Sequence, residues 1–324
     1  MKQKMSATFL YPSSRKSPHF VHLSWAKSVC SNFVQTPMGL GLFDVGKIPK
    51  SDILLLESLY CVPFAKKYKQ KINPDCKIVS IIADTSFWRK KLSITRRIYY
   101  ALYLDCVDAF IAVSERIKKD ILNYINKPVE VVRPFFVNKF GKRRLNFEKK
   151  ILFIGNEVKE KGFPKLIRAM ELLPDFELFL VGDCYKAIKG ETRDDNIHIE
   201  GKVPSLKKYF NLCSYYVHPA DFDPCPASVF ESMYAGLIPI ITKDVGQSEL
   251  FTKDLRCLIL ENNNPETIAK KLMELHGYST TRKRRIVKRC REIAKRYTKE
   301  RSIWEFKKAF YRLVESSVKR FCNL

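Results

Sequence analysis

Three carboxylates lie close together in HPADFDPCPASVFESMYAG, residues 218–236. Asp223 stands before a Pro-Cys-Pro corner, and Glu231 follows it eight positions later. A proline near the first position predicts a helix over 227–235, which leaves Asp223 in the loop and places Glu231 one turn into the helix. A helix N-terminus offers free N–H groups to a diphosphate, and a carboxylate accepts two neighbouring hydroxyls at once. The pattern therefore predicts one acid near a reacting group and a second acid that holds a phosphate-bearing carrier.

A second candidate site for an anion follows the apolar run KILFIG, residues 150–155. Gly155 closes this predicted strand, and Lys161 and Gly162 precede a helical pattern over 163–172. A glycine-containing turn ahead of a helix favours a bound phosphate, and a lysine adds a point charge. The alternative is an ordinary turn with a solvated lysine.

Both motifs need strands that end at one edge of a sheet. Short apolar runs alternate with helical patterns along the whole chain, which predicts an α/β fold with two doubly wound, Rossmann-like parallel sheets facing a cleft. The predicted strands are residues 7–11, 52–58, 77–83, 109–114, 129–134, 150–155, 177–183, 196–201, 215–220, 237–242 and 256–260. The basic stretch 138–150 contains breakers and indicates a linker, so the predicted domains are 1–145 and 146–301.

The charge of the 324-residue chain is a further observation. A formal charge of +25 favours phosphate-bearing partners: nucleic acid, anionic lipid or a nucleotide. The densest basic run, 282–301, has apolar residues at helical spacing and predicts an amphipathic helix with a wet basic face. A solvated surface is the commonest fate of such a run, and a membrane-surface role comes second. We expect no nucleic-acid partner, because neither aromatic interleaving nor a nucleic-acid module accompanies the charge.

The amino terminus and the cysteines predict the compartment. The first residues have too short an apolar stretch for a signal peptide, and no window of 18 residues is uninterruptedly apolar. We therefore expect a cytoplasmic protein, with the basic helix as its candidate contact with the inner membrane face. Ten cysteines are scattered without Cys-x-x-Cys pairs or zinc-site spacing, which predicts reduced, mostly buried thiols.

Five strand-end motifs follow one another along residues 150–260. They are the glycine turn with Lys161-Gly162, Val181-Gly182, Ile199-x-Gly201-x-Val203, the stretch from Pro219 to Pro239 with Asp223 and Glu231, and Val245-Gly246-x-x-Glu249. This order resembles the carboxyl-terminal half of the GT-B fold retaining glycosyltransferases of family four, the glycosyl transferases of group 1. Weaker features, AFIAVSERIKKDI and VVRPFFV, extend the resemblance into the first half of the chain.

The resemblance implies a nucleoside-diphosphate-sugar donor on the second domain, an acceptor on the first, retention of anomeric configuration, and neither a metal nor a cofactor. It implies that Glu231 holds the donor ribose, Asp223 lies near the transferred sugar, and Lys161 binds the diphosphate. Lys202 and Val203 fall on the loop beside the base. The other implied donor contacts are Gly155, Asn156, Gly182, Ala227, Ser228 and Val229.

Several positions depart from the family pattern or leave an alternative open. Asn156 stands where the family has an arginine, and Asp223 is one methylene shorter than the usual glutamate. On the acceptor side the candidates are Asp84 and Ser86, where many relatives have a histidine; for Asp84, capping of the following turn is an equal alternative. In the resembled fold a terminal helix, here within 302–324, crosses back to the first domain; packing wholly within the second domain is the alternative.

These observations lead to one leading function and two alternatives. We expect a metal-independent hexosyltransferase that acts on a glycan, a lipid-linked or another anionic acceptor. Asp221-x-Asp223 spells the metal motif of the other, GT-A, class, but we reject a metal site because the distance to Glu231 already assigns Asp223. The alternatives are a GT-B sugar-nucleotide epimerase or hydrolase, which would need further acid–base residues, and a non-catalytic sugar-nucleotide or polyanion-binding protein.

Overall fold

The chain forms two compact units. The computed structural model describes residues 5–14, 16–38, 42–88, 92–137, 145–156, 159–183 and 195–319. One unit comprises Met1–Pro134 together with Glu300–Leu324, and the other comprises Phe135–Lys299. The sequence prediction places its domain boundary after residue 145, next to the segment 138–144 of the predicted linker, which lies outside the described residues.

The first unit is built on six parallel strands. They are β1 Ala7–Pro12, β2 Asn32–Thr36, β3 Ile53–Leu56, β4 Lys77–Ile82, β5 Ala109–Ala112 and β6 Val129–Val131, in the order β2-β1-β3-β4-β5-β6. The accompanying helices are α1 Phe20–Ala26, α2 Val62–Lys71, α3 Ile94–Tyr103 and α4 Glu115–Leu122. Strands β3 and β5 are buried at every position, as expected for apolar runs in a parallel sheet.

The second unit repeats this architecture. Its strands are β7 Lys150–Ile154, β8 Glu177–Val181, β9 Ile197–Gly201, β10 Tyr215–His218, β11 Ile238–Thr242 and β12 Ile259–Leu260, all parallel, in the order β12-β11-β10-β7-β8-β9. Its helices are α5 Phe163–Met170, α6 Lys207–Leu212, α7 Ala227–Ala235, α8 Pro265–Gly277 and α9 Thr280–Ala294. The predicted α/β class with two parallel sheets is confirmed.

One strand of the first sheet was missing from the prediction. β2 is the edge strand of its sheet, and exposed residues alternate with half-buried ones along it. An edge strand of this kind shows no continuous apolar run, so the criterion that identified the other strands could not detect it.

The terminal helix α10, Lys299–Lys319, packs within the first unit. The Trp25 indole donates a hydrogen bond of 3.0 Å to the Ser302 hydroxyl, which in turn donates to the Arg133 carbonyl at 2.9 Å. The Trp25 ring also stacks on Phe306 with the ring centroids 5.1 Å apart. Aromatic stacking and a satisfied buried indole therefore attach the helix to α1.

The prediction of one basic helix over 282–301 is wrong. α9 ends at Ala294 and α10 begins at Lys299, because the intervening turn lets Tyr297 stack on Phe230 at 4.3 Å. Lys283 is buried and donates to the His276 carbonyl, so it does not belong to the wet basic face. No helix in the described part of the chain is both long and apolar enough to cross a bilayer. The cysteines within the same ranges are free thiols, and most are buried.

Candidate functional site

The carboxyl ends of β7 and β10 meet in the second unit. These two strands are neighbours although they are distant in sequence, and the strand order runs outward from them in opposite directions. In parallel sheets, this reversal opens a crevice beyond the strand ends, where ligands bind. The loop after β7 leads to Lys161, and the loop after β10 contains Asp223.

Glycines line the same edge of the sheet at the ends of β7, β8 and β9. The Gly155 N–H donates to Val181 at 3.0 Å, and the Gly182 N–H donates to Gly201 at 2.7 Å. Gly182 has a φ of 115°, and a Cβ built there would lie 1.8 Å from the Gly155 carbonyl oxygen. Only glycine fits at this position, and its absent side chain lets the ends of β7 and β8 pack closely together.

Gly162 sets the position of Lys161. Its φ is 78°, and a Cβ would lie 2.0 Å from the Pro219 carbonyl oxygen, so the start of α5 packs directly on the end of β10. This close approach brings Lys161 Nζ within 3.8 Å of Asp223 Oδ2. The two residues that the sequence analysis assigns to the diphosphate and the transferred sugar therefore form an ion pair.

Asp223 has a second partner that the sequence analysis did not assign. His218 is fully buried at the end of β10, and its Nε2 lies 3.0 Å from Asp223 Oδ2. Because an ionised carboxylate can only accept, the imidazole donates this bond. The backbone fixes the same loop, since Asp223 forms an isolated parallel bridge with Val245 and its carbonyl accepts from the Gly246 N–H at 3.0 Å.

These contacts control the charge of Asp223. Burial raises the pKa of its carboxyl group, but the hydrogen bond and charge of His218, the charge of Lys161 and the Cys225 N–H outweigh that effect. The net result is a lowered pKa, so Asp223 is a stable carboxylate. It can hold or stabilise positive charge, and it is a poor proton donor at neutral pH.

The hydrogen-bond chain continues from His218 to α7. Tyr216 OH lies 3.5 Å from His218 Nδ1 and 2.8 Å from Ser228 Oγ. Burial raises the pKa of Tyr216 most strongly. The hydrogen bond with Ser228 lowers this pKa, whereas the charges of Asp223 and Glu231 raise it, and the net effect is a raised pKa. The Ser228 hydroxyl, a predicted donor contact, is therefore engaged within the protein.

Helix α7 has the bounds that the sequence predicts, Ala227–Ala235. Pro226 precedes it without a side-chain cap, which leaves the first N–H groups, those of Ala227 and Ser228, without a capping side chain. Val229 is buried, and Glu231 is half-buried one turn into the helix. The Gln247 amide donates to the Pro226 carbonyl at 2.7 Å and fixes the start of the helix.

The loops beyond β7 and β9 hold the remaining predicted donor contacts. Asn156 is exposed directly after Gly155. Lys202, the residue after β9, is exposed, and its Nζ lies 2.6 Å from Asp183 Oδ2. Val203 is half-buried next to it. Lys202 is therefore held beside Gly182 by an ion pair with the residue that follows this glycine.

The two aspartates of the Asp-x-Asp pattern have different partners. Asp221 Oδ1 accepts from Lys165 Nζ at 2.9 Å and from the Asn263 amide at 2.9 Å, whereas Asp223 pairs with His218 and Lys161. Among the described residues, no group of three His, Cys, Asp or Glu side chains is arranged to hold a metal ion.

In the first unit, Asp84 and Ser86 are joined within one turn. Asp84 Oδ1 accepts from the Ser86 N–H at 2.8 Å, which is the turn-capping arrangement, and the Ser86 carbonyl accepts from Tyr100 OH. Asp84 also lines a small cavity of about 130 Å³ together with Glu57 and Tyr60.

The same cavity contains a buried pair that the sequence analysis missed. His22 Nδ1 lies 3.2 Å from Glu57 Oε1, and this oxygen also accepts from the His19 N–H at 2.7 Å. Glu57 directly follows β3, and a carboxylate after a wholly apolar strand was the available signal. The sequence analysis included Glu57 in the predicted strand over 52–58 and therefore did not consider it as a site residue.

Comparison with known proteins gives the class of the chain. Residues 137–292, nearly all of the second unit, match the family described as glycosyl transferases group 1. Anabaena HepE, whose structure was solved in complex with UDP and glucose, superposes with a TM-score of 0.76 at 13% identity, covering 96% of this chain and 99% of HepE. Sucrose-phosphate synthase from Thermosynechococcus elongatus gives a TM-score of 0.76 at 12% identity, covering 96% and 100%. The chain therefore has the GT-B fold and carries a group 1 glycosyltransferase domain.

A curated relative supports the same class. An uncharacterized glycosyltransferase of Methanocaldococcus jannaschii is 27% identical over 234 residues, which cover 69% of this chain and 65% of the relative. The alignment thus spans slightly less than two thirds of the relative's own length. The predicted resemblance to GT-B glycosyltransferases of group 1 is confirmed.

Proposed function

We propose that this protein is a retaining glycosyltransferase that moves a sugar from a nucleoside-diphosphate donor to a glycan, a lipid-linked or another acceptor. One observation carries the proposal: Lys161, Asp223 and the uncapped start of α7 converge at the strand-order reversal of a group 1 domain. The structural relative HepE, solved with UDP and glucose, supports a sugar nucleotide as the ligand.

In this proposal the donor diphosphate binds between Lys161 and the first N–H groups of α7. Both carry positive charge toward the strand ends, and that charge stabilises the diphosphate more strongly as it departs. Glu231, one turn further along, accepts the two ribose hydroxyls. The exposed Asn156 occupies the position of the family's second cation, so Lys161 carries most of the charge compensation.

The transfer step follows from these contacts. The bond from the anomeric carbon to the diphosphate oxygen breaks as a sugar with oxocarbenium character forms, and the electron pair leaves with the diphosphate. The acceptor hydroxyl attacks from the face that the diphosphate leaves and passes its proton to the departing oxygen, so the configuration is retained. Asp223, a carboxylate held by His218, stabilises the positive charge of the sugar. Lys161 supplies the cation in this scheme, which calls for neither a metal nor a cofactor.

We further propose that the protein works in the cytoplasm at the inner face of the membrane, where a lipid-linked acceptor would be found. The exposed cations of α9 support an attraction to anionic lipid, with Arg284, Arg285 and Lys288 all open to solvent. Two cations of α9 do not contribute to this basic face. Lys283 is buried, and Arg291 donates to the Tyr234 and Ala235 carbonyls.

Proton NMR of donor turnover tests the reaction. The protein is incubated with a panel of nucleoside-diphosphate sugars, with water as the acceptor, and the released sugar is observed before it mutarotates. We expect one donor to give a sugar of the donor's own anomeric configuration and Lys161→Ala to slow its release about 100-fold, the scale of one lost transition-state contact. Lys149→Ala, which removes a half-buried lysine paired with Asp175, is the control and should retain full activity.

Three results would contradict the proposal. Release of the opposite anomer means inversion. A new sugar-nucleotide spectrum without release means epimerisation. Binding of a donor without any turnover means a non-catalytic binding protein, the alternative that the missing arginine at Asn156 favours.

A further inference from the structure

Helix α3 exposes its aliphatic residues to solvent. Ile94, Ile98 and Leu102 retain 77%, 54% and 54% of their accessible surface, and of the ten residues in the helix only Tyr100 is buried. The spacing i, i+4, i+8 places the three aliphatic side chains on one face. A surface helix of an ordinary globular protein has the opposite arrangement, with its aliphatic stripe toward the core.

The other face of α3 is attached to the first unit by its tyrosines. Tyr99 OH donates to the Leu59 carbonyl at 2.6 Å, and Tyr100 OH donates to the Ser86 carbonyl. Tyr103 lies under Lys66 Nζ, which is 5.6 Å from the ring centroid. These contacts fix the rotation of the helix, so the aliphatic stripe cannot turn inward without losing them.

The apolar surface continues beyond the helix. Leu102, at the end of the stripe, also lines a groove of about 480 Å³ with Phe43, Phe64 and the fully exposed Leu42. Large aliphatic side chains that are exposed together, and not singly, mark a surface that contacts another apolar phase.

The charges around this surface indicate which phase that is. α3 contains no acidic residue, and Arg97 is exposed at the flank of the stripe. Lys66 and Lys67 line the groove beside Leu102. An exposed aliphatic stripe flanked by cations is complementary to a bilayer surface with anionic headgroups, because the chains take up the stripe and the headgroups pair with the cations.

We infer that α3 docks the first unit on an anionic phospholipid bilayer, with Ile94, Ile98 and Leu102 entering the interfacial region. This contact differs in kind from that of α9, which exposes cations but no large hydrophobic side chain over Thr280–Ala294. α9 can only attract the surface electrostatically, whereas α3 inserts. The inference goes beyond the proposed transfer reaction, because it is measured without donor or acceptor.

Vesicle flotation tests the inference with two matched triple variants of the full chain. One is Ile94→Ser with Ile98→Ser and Leu102→Ser. The control replaces three exposed aliphatic residues that lie outside the α3 stripe: Ile72→Ser with Leu122→Ser and Leu172→Ser. These residues are 44%, 44% and 49% exposed. Vesicles of phosphatidylcholine and phosphatidylglycerol are used at low and at high salt.

We expect the α3 variant to lose at least tenfold in bound fraction at both salt concentrations and the control to stay within twofold of the wild type. Substitutions that remove the positive charges of Arg284, Arg285 and Lys288 should weaken vesicle binding at low salt only, because screening already removes the contribution of these charges at high salt. An unchanged melting temperature and unchanged nucleoside-diphosphate binding in the α3 variant would show that the fold and the donor site are intact.

Wild-type binding to these vesicles that the α3 variant retains would overturn the inference, as would the absence of any wild-type binding. A second copy of the chain is the competing occupant of the stripe. If light scattering shows a wild-type dimer that the α3 variant converts to a monomer while vesicle binding is unaffected, the surface is a self-association interface and the inference is wrong.

Discussion

His218 gives the candidate site its most specific local feature. A fully buried imidazole donates to Asp223, and the same carboxylate faces Lys161 at 3.8 Å. Asp223 is one methylene shorter than the glutamate usual in the resembled family, and its short side chain is directed to the His218 imidazole and the Lys161 ammonium group within the protein. We therefore interpret its main role as a fixed negative charge, which also holds Lys161 in place.

The lowered pKa of Asp223 predicts how stability depends on pH. A group whose folded pKa lies below its ordinary value of 3.8 binds its proton less readily when folded, so its stabilising contribution is complete above that value. The contribution is lost as the pH falls through the lowered folded pKa. Asp223→Asn should thus cost about 2 kcal/mol of unfolding free energy near neutral pH, the scale of breaking a buried charged hydrogen bond.

Urea unfolding at several pH values measures this effect. The free-energy difference between wild type and Asp223→Asn should shrink below the ordinary pKa of 3.8. Asp221→Asn is the matched control, because its partly exposed pair with Lys165 should be worth less than about 1 kcal/mol. A difference for Asp223→Asn that is independent of pH down to acid unfolding would contradict the assigned charge state.

Asn156 provides a second prediction at the scale of one residue. It is exposed directly after Gly155, at the position where the resembled family has an arginine. Asn156→Arg should tighten nucleoside-diphosphate binding about tenfold, since one charge-assisted hydrogen bond contributes about 1.5 kcal/mol. Calorimetry at two salt concentrations checks this, and the gain should diminish at high salt. Unchanged affinity would mean that the diphosphate does not lie beside this loop.

At the scale of elements, the parts of the fold that are bounded by helix-starting and helix-ending residues are predictable. Pro226 and Gly236 delimit α7, and the structure has the predicted bounds. The orientation of α3 was not predictable, because its aliphatic stripe and its tyrosine face are both apolar at helical spacing. Only the partners of the tyrosine hydroxyls decide between them, and these partners are carbonyls far away in the sequence.

The glycine edge of the second sheet gives a prediction at this scale. Gly182→Ala should destabilise the protein by about 3 kcal/mol or more, because the new Cβ would meet a backbone oxygen 1.8 Å away at a φ of 115°. Gly277→Ala is the control: its Cβ would have open space within 4 Å, and the change should be neutral or stabilise the end of α8 by about 0.5 kcal/mol. Thermal and urea unfolding compare the two variants, and equal stabilities would refute the close packing of β7 on β8.

At the scale of the whole molecule, the part of the candidate site that sequence could predict is the part where strand topology alone determines proximity. Lys161 and Asp223 are far apart in the chain and meet because β7 and β10 are neighbours. His218 and Glu57 were missed, because a histidine or a glutamate at the end of an apolar strand looks like part of that strand until its partner is known. The sequence likewise predicts one exposed basic face over 282–301, whereas the fold uses Lys283 to bond a carbonyl and leaves Arg284 in solvent.

The most direct test of the account is nucleoside-diphosphate binding to the wild type, to Glu231→Ala and to Glu266→Ala. Glu266 is an exposed glutamate at the start of α8, so its variant controls for loss of an acid near a helix N-terminus. We predict that one nucleoside diphosphate of a panel stabilises the wild type by about 2.7 kcal/mol at roughly 100 times its dissociation constant. Glu231→Ala should weaken its binding by about 2 to 3 kcal/mol, and Glu266→Ala should leave it unchanged. The account would be contradicted if no nucleoside diphosphate stabilised the protein, or if Glu231→Ala bound it as tightly as the wild type does.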